Sequence, residues 1–217
     1  MRRGFYIGRF QPYHDGHHRM VERIAADVDE IVLGIGSADV SHTTHDPFTA
    51  GERITMITRA LAELDLVSYV VPLEDIDRNA VWVSHVEAMC PAFDVAYSNN
   101  PLVIELFEER GVTVEQSPMF HREVLEGTQI RERMIRGDDW RELVPPAAVT
   151  VIEGIDGVAR LRALDGSDVN GATDAEGTTD GGVGTTDDDL GTNGEEASLV
   201  DAADGGGDDN GANGVGQ

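Results

Sequence analysis

Near the start of the chain, the run Gly8-Arg9-Phe10-Gln11-Pro12-Tyr13-His14-Asp15-Gly16-His17-His18 gathers an arginine, three histidines and two glycines. His14 and His17 are three apart with Gly16 between them. Gly16 allows a tight turn and close approach of a ligand. Both imidazoles can then face one point and donate hydrogen bonds to an oxygen that gains negative charge in a transition state. Arg9 adds a permanent forked cation suited to phosphate oxygens. No Ser or Cys nucleophile stands beside them. The set suits phosphoryl or nucleotidyl transfer by positioning and charge stabilisation, without a covalent intermediate. A histidine-rich surface loop is the plainer reading of His-x-Gly-His, and its place in the chain decides against it. The apolar run Gly4-Phe5-Tyr6-Ile7 before it reads as a strand, and the amphipathic run from Met20 to Val28 after it reads as a helix. Open α/β sheets bind ligands at such strand-to-helix turns, where free backbone N–H groups attract anions.

Further stretches could do related chemistry. In Glu126-Gly127-Thr128-Gln129-Ile130-Arg131, Gly127 and Thr128 open a helix and Arg131 sits one turn in. Backbone N–H groups, a hydroxyl and a guanidinium make a polyphosphate cradle, although Gly-Thr-x-x-Arg alone is equally an ordinary capped helix. Asn79 and Trp82 are three apart at another helix start. An aromatic face and an amide edge can read a heterocycle, and the same spacing fits a tryptophan in the core. His42 and His45 read as a solvated loop. Cys90, the single cysteine, lies in an apolar stretch and reads as a small core residue; it excludes an internal disulfide and fits a reducing interior.

The elements that must carry these residues alternate. The face made by Met20, Val21, Ile24, Ala25 and Val28 predicts a helix over 16–27. The β-branched run 31–35 predicts a strand buried on both sides, as in a parallel sheet. Thr49 and Glu52 form a capping-box pattern before a helix over 50–63, with Ile54, Ile57, Leu61 and Leu64 inward. Strands follow at 67–72, 93–97 and 112–115. Asn100 and Pro101 are cap and first residue of a helix over 101–109. After Trp140, Pro145-Pro146 introduces a terminal helix through about Ile155. The expectation is an α/β fold: a doubly wound, parallel, five-stranded sheet with all candidate loops at one end.

Composition divides the chain. Residues 165–217 contain 14 Gly and 14 Asp or Glu, with no Lys, Arg, Pro or aromatic residue. Such a segment cannot bury enough apolar surface to fold, so a domain over 1–164 and a disordered acidic tail over 165–217 are expected. The tail carries −14 of the net −25, and all 16 basic residues are arginine. An acidic, lysine-free surface is what a high-salt cytoplasm favours, because carboxylates hold water and salt screens their repulsion. That charge opposes general binding to nucleic acid or anionic membranes. No apolar run is long enough to span a bilayer, and the N-terminus has no apolar signal region, so a cytoplasmic location is expected.

The run Gly8 to His17 resembles the His-x-Gly-His signature of the nucleotidylyltransferase superfamily, and in particular archaeal-type nicotinamide-nucleotide adenylyltransferases. Ile35-Gly36-Ser37-Ala38, Asp46-Pro47-Phe48-Thr49-Ala50-Gly51-Glu52-Arg53, Asn79 with Trp82, Ser98-Asn99-Asn100-Pro101 and Gly127-Thr128 with Arg131 are similar to the same family in order. The family more often has Gly where Asn99 stands and Ser where Glu126 stands, and some members carry Arg at the place of His45. Asn99 tolerates a left-handed turn, and Glu126 is expected to point outward, away from phosphate. The resemblance implies a Rossmann-like domain transferring adenylyl from ATP to nicotinamide mononucleotide (NMN), giving NAD and pyrophosphate, with Mg²⁺ on the ATP phosphates and no protein metal site. It implies catalytic roles for Arg9, His14, His17 and Arg131. It places ATP against Gly8, Arg9, Phe10, His14, Gly16, His17, Gly127, Thr128 and Arg131, and NMN against Ser37, Asn79 and Trp82. It further implies a homo-oligomer, a hexamer. Two alternatives remain: a sister transferase acting on another phosphate acceptor such as FMN or phosphopantetheine, and a non-catalytic nucleotide sensor.

Overall fold

Alternation along the strands creates two separate cores. In the computed structural model, which describes residues 1–76, 78–116 and 126–171, the strands are β1 (Arg3–Gly8), β2 (Glu30–Ile35), β3 (Val67–Pro72), β4 (Val95–Tyr97) and β5 (Thr113–Glu115). All four pairings are parallel, in the order β3-β2-β1-β4-β5. Ile31, Leu33, Ile35, Val95 and Tyr97 face one core, while Phe5, Ile7, Val32 and Ala96 face the other. Successive strand side chains point to opposite faces, so both faces need cover.

Helices supply it. The first core is closed by α1 (Asp15–Ala25), α2 (Ala50–Leu61), α5 (Gly127–Arg136), α6 (Pro146–Gly154) and α7 (Gly157–Gly171), through residues such as Ile24, Ile57, Met134, Ile152 and Leu161. The second is closed by α3 (Asn79–Met89) and α4 (Pro101–Glu109), through Trp82, Val86, Val103 and Phe107. This is the doubly wound sheet expected from sequence. Its strand order reverses beside β1, and ligands of open α/β sheets bind at such a switch point, outside the strands' carboxyl ends.

Two caps anticipated from sequence are present. Thr49 Oγ1 accepts from Glu52 N–H at 3.3 Å, and Glu52 Oε2 accepts from Thr49 N–H at 2.9 Å. Asn100 Oδ1 accepts from Leu102 N–H at 2.9 Å. Several boundaries differ: α1 ends at Ala25, α2 ends at Leu61, and β4 begins at Val95. The left-handed non-glycines among the described residues are Phe10, Ser37, His42 and Asp156, so the turn after β4 does not ask Asn99 for that conformation. Gly16 lies inside α1 without a positive φ, so its use is not the tight turn expected from sequence.

Helix α7 was not anticipated, and it crosses the boundary drawn at 164. Of the tail expected over 165–217, residues 172–217 lie outside the described residues. The helix is attached by arginines. Arg160 donates to both carboxylate oxygens of Glu52 at 2.8 Å and to the Pro47 carbonyl at 3.1 Å. Arg162 Nε donates to the Met134 and Ile135 carbonyls near the end of α5. One helix thereby ties α2 to α5.

The Arg160 hydrogen bonds, reinforced by the Thr49 amide, hold the Glu52 carboxyl below its ordinary range. A depressed carboxyl stabilises the fold above its unfolded pKa, and that contribution is lost as pH falls through the folded value. Arg160→Ala is expected to cost about 1 kcal/mol near neutral pH, a Tm drop of about 2–4 °C. Thermal melts across pH check it: the gap from wild type closes on acidification through the carboxylate range, and a gap constant with pH would exclude the charge pair as its cause.

Candidate active site

The turn after β1 is built by its own aromatic residues. Phe10, fully buried at φ 55°, sets its ring edge-on to His17 with centroids 4.8 Å apart. Tyr13, also fully buried, stacks on His17 at 5.8 Å. Burial pushes the Tyr13 phenol well above its ordinary pKa, so it is neutral. The Gln11–Pro12 peptide is cis. Phe10 therefore holds His17 in place, and its ring offers no exposed face to a ligand.

His14 caps α1. Its Nδ1 accepts from Gly16 N–H at 3.1 Å, while His17 Nδ1 faces the His14 N–H at 3.4 Å. This is a capping box made of imidazoles, in the position where Ser and Glu usually serve. With Nδ1 accepting in both rings, the neutral tautomer carries its proton on Nε2. The rings stack 3.7 Å apart and are each 4 % exposed. Helix capping thus turns two histidines into parallel Nε2–H donors at a helix N-terminus.

The stretch from Gly127 to Arg131 joins the same turn. Arg131, buried, donates from Nη1 to the Gln11 carbonyl at 2.7 Å and from Nη2 to Thr128 Oγ1 at 3.1 Å. A Cβ on Gly127 would sit 3.2 Å from both the Gln11 carbonyl oxygen and Arg131 Nη1, so the absent side chain is what lets α5 approach the turn. Glu126 is half-buried and makes no capping hydrogen bond to α5. Arg9, also buried, lies 3.9 Å from the Asp46 carboxylate.

The loop after β2 is tied to the same turn. Gly36 N–H donates to the Gly8 carbonyl at 3.0 Å. The Gln11 amide pairs with both backbone groups of Phe48, each at 3.0 Å. Ser37 is buried at φ 46°, and its N–H donates to Asp75 Oδ1 at 3.3 Å. His42 and His45 are exposed, as a solvated loop requires. Asn79 is exposed at the start of α3. Trp82 is only 4 % exposed and packs edge-on to Phe107 at 5.5 Å, in the core on the other sheet face from Phe10 and Tyr13. Cys90 is half-buried, its thiol pushed up to about 11 by burial, which is wrong for a nucleophile at neutral pH.

The sequence reading passed over Arg53. It is fully buried, and its guanidinium donates to the carbonyls of Arg9 at 3.0 Å, Gly36 at 2.8 Å and Ser37 at 2.9 Å. Burial lowers its pKa to about 10, which leaves it charged at neutral pH. The signal was available: position 53 falls on the stripe of α2 that also buries Met56, Ile57 and Ala60, where an arginine needs an explanation. Among the described residues, no group of three or more His, Cys, Asp or Glu could hold a metal ion.

A doubly wound parallel sheet with paired imidazole donors and two arginines at its switch point defines a nucleotidyltransferase. Consistently, the cytidylyltransferase-like family model matches residues 5–133. A nicotinamide-nucleotide adenylyltransferase of Haloarcula marismortui is 72% identical over 166 residues, which is 76% of this chain and 88% of that protein. Relatives of the same name from Halorubrum lacusprofundi and Methanothrix thermoacetophila are 63% and 62% identical over 174 and 168 residues, covering 80% and 77% of this chain and 99% of each relative. Among solved structures, a bifunctional NMN adenylyltransferase/ADP ribose pyrophosphatase from Francisella tularensis, complexed with AMP and a manganese ion, has a TM-score of 0.65 at 17% identity. That match covers 78% of this chain and 54% of the other, so the chain spans about half of that protein's length, and the likeness is one of fold. The chain belongs to the nicotinamide-nucleotide adenylyltransferases of the cytidylyltransferase-like family.

Gly127→Ala is expected to displace α5 from the Gln11 carbonyl by a few tenths of an ångström and move Arg131 with it. Steady-state kinetics check it: kcat/KM for ATP falls roughly tenfold, because small misplacements of a positioned guanidinium in a site are costly. An unchanged value would show that the contact has slack.

Proposed function

We propose that the site at the carboxyl ends of β1 and β2 transfers adenylyl from ATP to NMN, giving NAD and pyrophosphate. The observation that carries the reading is the imidazole capping box, which commits His14 and His17 to donation from Nε2. An NMN phosphate oxygen attacks the α-phosphorus in line, and the bond to the bridging oxygen of pyrophosphate breaks. His14 and His17 stabilise charge on the phosphate oxygens as the transition state forms, in a buried setting where fixed donors act strongly. Arg9 and Arg131 hold the β- and γ-phosphates. Gly8, Gly127 and Thr128 present backbone and hydroxyl donors, Gly16 gives its N–H to the His14 cap that aims the imidazole, and Phe10 acts from behind through His17. Ser37, Asn79 and Trp82 receive NMN, with Asn79 reading the nicotinamide amide.

Mg²⁺ fits this site as part of the nucleotide rather than as a protein-held ion. In the tautomer set by capping, both histidines are donors and not ligands, and the nearby Asp46 carboxylate faces Arg9. When bound to the phosphates, Mg²⁺ neutralises their charge. No helix among the described residues is long and apolar enough to cross a membrane. Assembly as a homo-hexamer and a cytoplasmic location complete the reading. A sensor without turnover would have no use for paired donors at the transferred phosphate, and a sister transferase would need a different partner at Asn79.

The test is pyrophosphate release with ATP, Mg²⁺ and a panel of acceptors in molar KCl. Release with NMN and formation of NAD are expected; release only with another acceptor, or none with any, overturns the substrate assignment. His17→Ala should fold and lose about 10²-fold or more in turnover, the scale of an oxyanion donor. A near-normal rate removes His17 from the mechanism. About a fifth of this chain has no counterpart in the Halorubrum relative, which is covered almost completely. A chain ending at Gly171 is accordingly expected to keep turnover within about twofold of full length, and a larger loss would give the segment beyond it a catalytic role.

A further inference from the structure

Two loops must be held at a fixed separation if two substrates are to meet in line. The turn after β1 carries Arg9, on the ATP side of the proposed site. The loop after β2 carries Ser37, on the NMN side. Each contains a residue in the left-handed region that is not glycine: Phe10 at φ 55° and Ser37 at φ 46°. Such residues cost on the order of 1–3 kcal/mol each and persist only where the surroundings determine them. One side chain touches the backbone beside both. Arg53 Nη1 donates to the Arg9 and Gly36 carbonyls at 3.0 and 2.8 Å, and Nη2 donates to the Ser37 carbonyl at 2.9 Å. Nη2 also reaches the Val40 carbonyl at 3.4 Å, and Nε reaches Thr49 at 3.4 Å. The residue is fully buried, so these carbonyls have no water to replace it.

We propose that Arg53 is a positioning residue that sets the distance between the ATP and NMN halves of the site, acting through the backbone of Arg9 and Ser37 and touching neither substrate. The inference rests on the adenylyl-transfer reading above. A planar fork is required. One nitrogen bridges a carbonyl from each loop, the other takes the next carbonyl of the second loop, and the guanidinium plane fixes the angle between them. A lysine ammonium keeps the charge but not that geometry. Losing the bridge leaves each half able to bind its own ligand, while the attacking oxygen and the α-phosphorus are no longer aligned.

The experiment compares wild type with Arg53→Lys and Arg53→Gln in molar KCl, well below the Tm of the least stable variant. ATP affinity is measured by calorimetry without NMN, and kcat with both substrates saturating. Arg53→Lys is expected to bind ATP within about threefold of wild type and to lose about tenfold or more in kcat, the signature of misalignment rather than lost binding. Arg53→Gln keeps an amide donor for one loop and is expected to show the same split. A kcat within about twofold of wild type overturns the proposal, as does a loss of ATP affinity matching the loss of kcat. If neither variant folds by circular dichroism, Arg53 is a folding residue and the proposal fails. Wild-type turnover with NMN is the separate control: its absence refutes the adenylyl-transfer reading without bearing on whether Arg53 bridges the loops.

Discussion

Loops gathered at the carboxyl end of a parallel sheet bring inward-facing carbonyl groups that the ladder no longer satisfies. Each must find a donor or lose the free energy of a hydrogen bond on burial. Here guanidinium groups supply the donors. Arg53 takes carbonyls from the turn after β1 and the loop after β2, and Arg131 takes Gln11 from the same turn into α5. Gln11 completes the set by pairing with the backbone of Phe48. The site is thus an arrangement of backbone segments fixed by a few buried side chains, and its left-handed residues depend on that fixation.

The same economy explains why a lysine-free chain suits this fold. Arginines anchor the N-terminal half of α7, where Arg160 reaches α2 and Arg162 reaches α5. A guanidinium can serve several acceptors in one plane, and it is more weakly hydrated than an ammonium. Few carboxylates join them inside: 27 lie before residue 165, and among the described residues Glu30 and Asp46 are the buried ones. Interior cations are therefore spent on backbone oxygens more than on ion pairs, and backbone contacts do not weaken with salt as exposed charge pairs do.

Much of this was legible in the chain. Strand alternation and β-branched runs showed the parallel sheet, and Thr49 with Glu52 and Asn100 with Pro101 marked helix starts to the residue. The His14–His17 spacing marked the candidate site. The parts that were not legible share a physical cause. Arg53 sits within an otherwise amphipathic helix, and reading that helix by its apolar members assigned Ile54 and Leu64 to the interior, where the structure leaves them partly buried. The partners of Arg53 are carbonyls, which have no sequence signature. Trp82 was open between core and ligand, and its burial became visible only with Phe107 in place. Helix α7 begins at Gly157 and runs into the glycine- and aspartate-rich segment, so composition pointed away from a helix that tertiary contacts stabilise.

The imidazole capping box has a consequence for what kind of catalyst this is. To abstract a proton through Nε2, a histidine must carry its own proton on Nδ1. In His14 that position faces the Gly16 N–H in the first turn of α1, and in His17 it faces the N–H of the cap residue His14. The basic tautomer would set two hydrogens against each other and undo the start of the helix. The secondary structure therefore disfavours general-base chemistry at these two imidazoles. In the adenylyl-transfer reading proposed above, the nucleophile then arrives already ionised, as a phosphate monoester does at neutral pH.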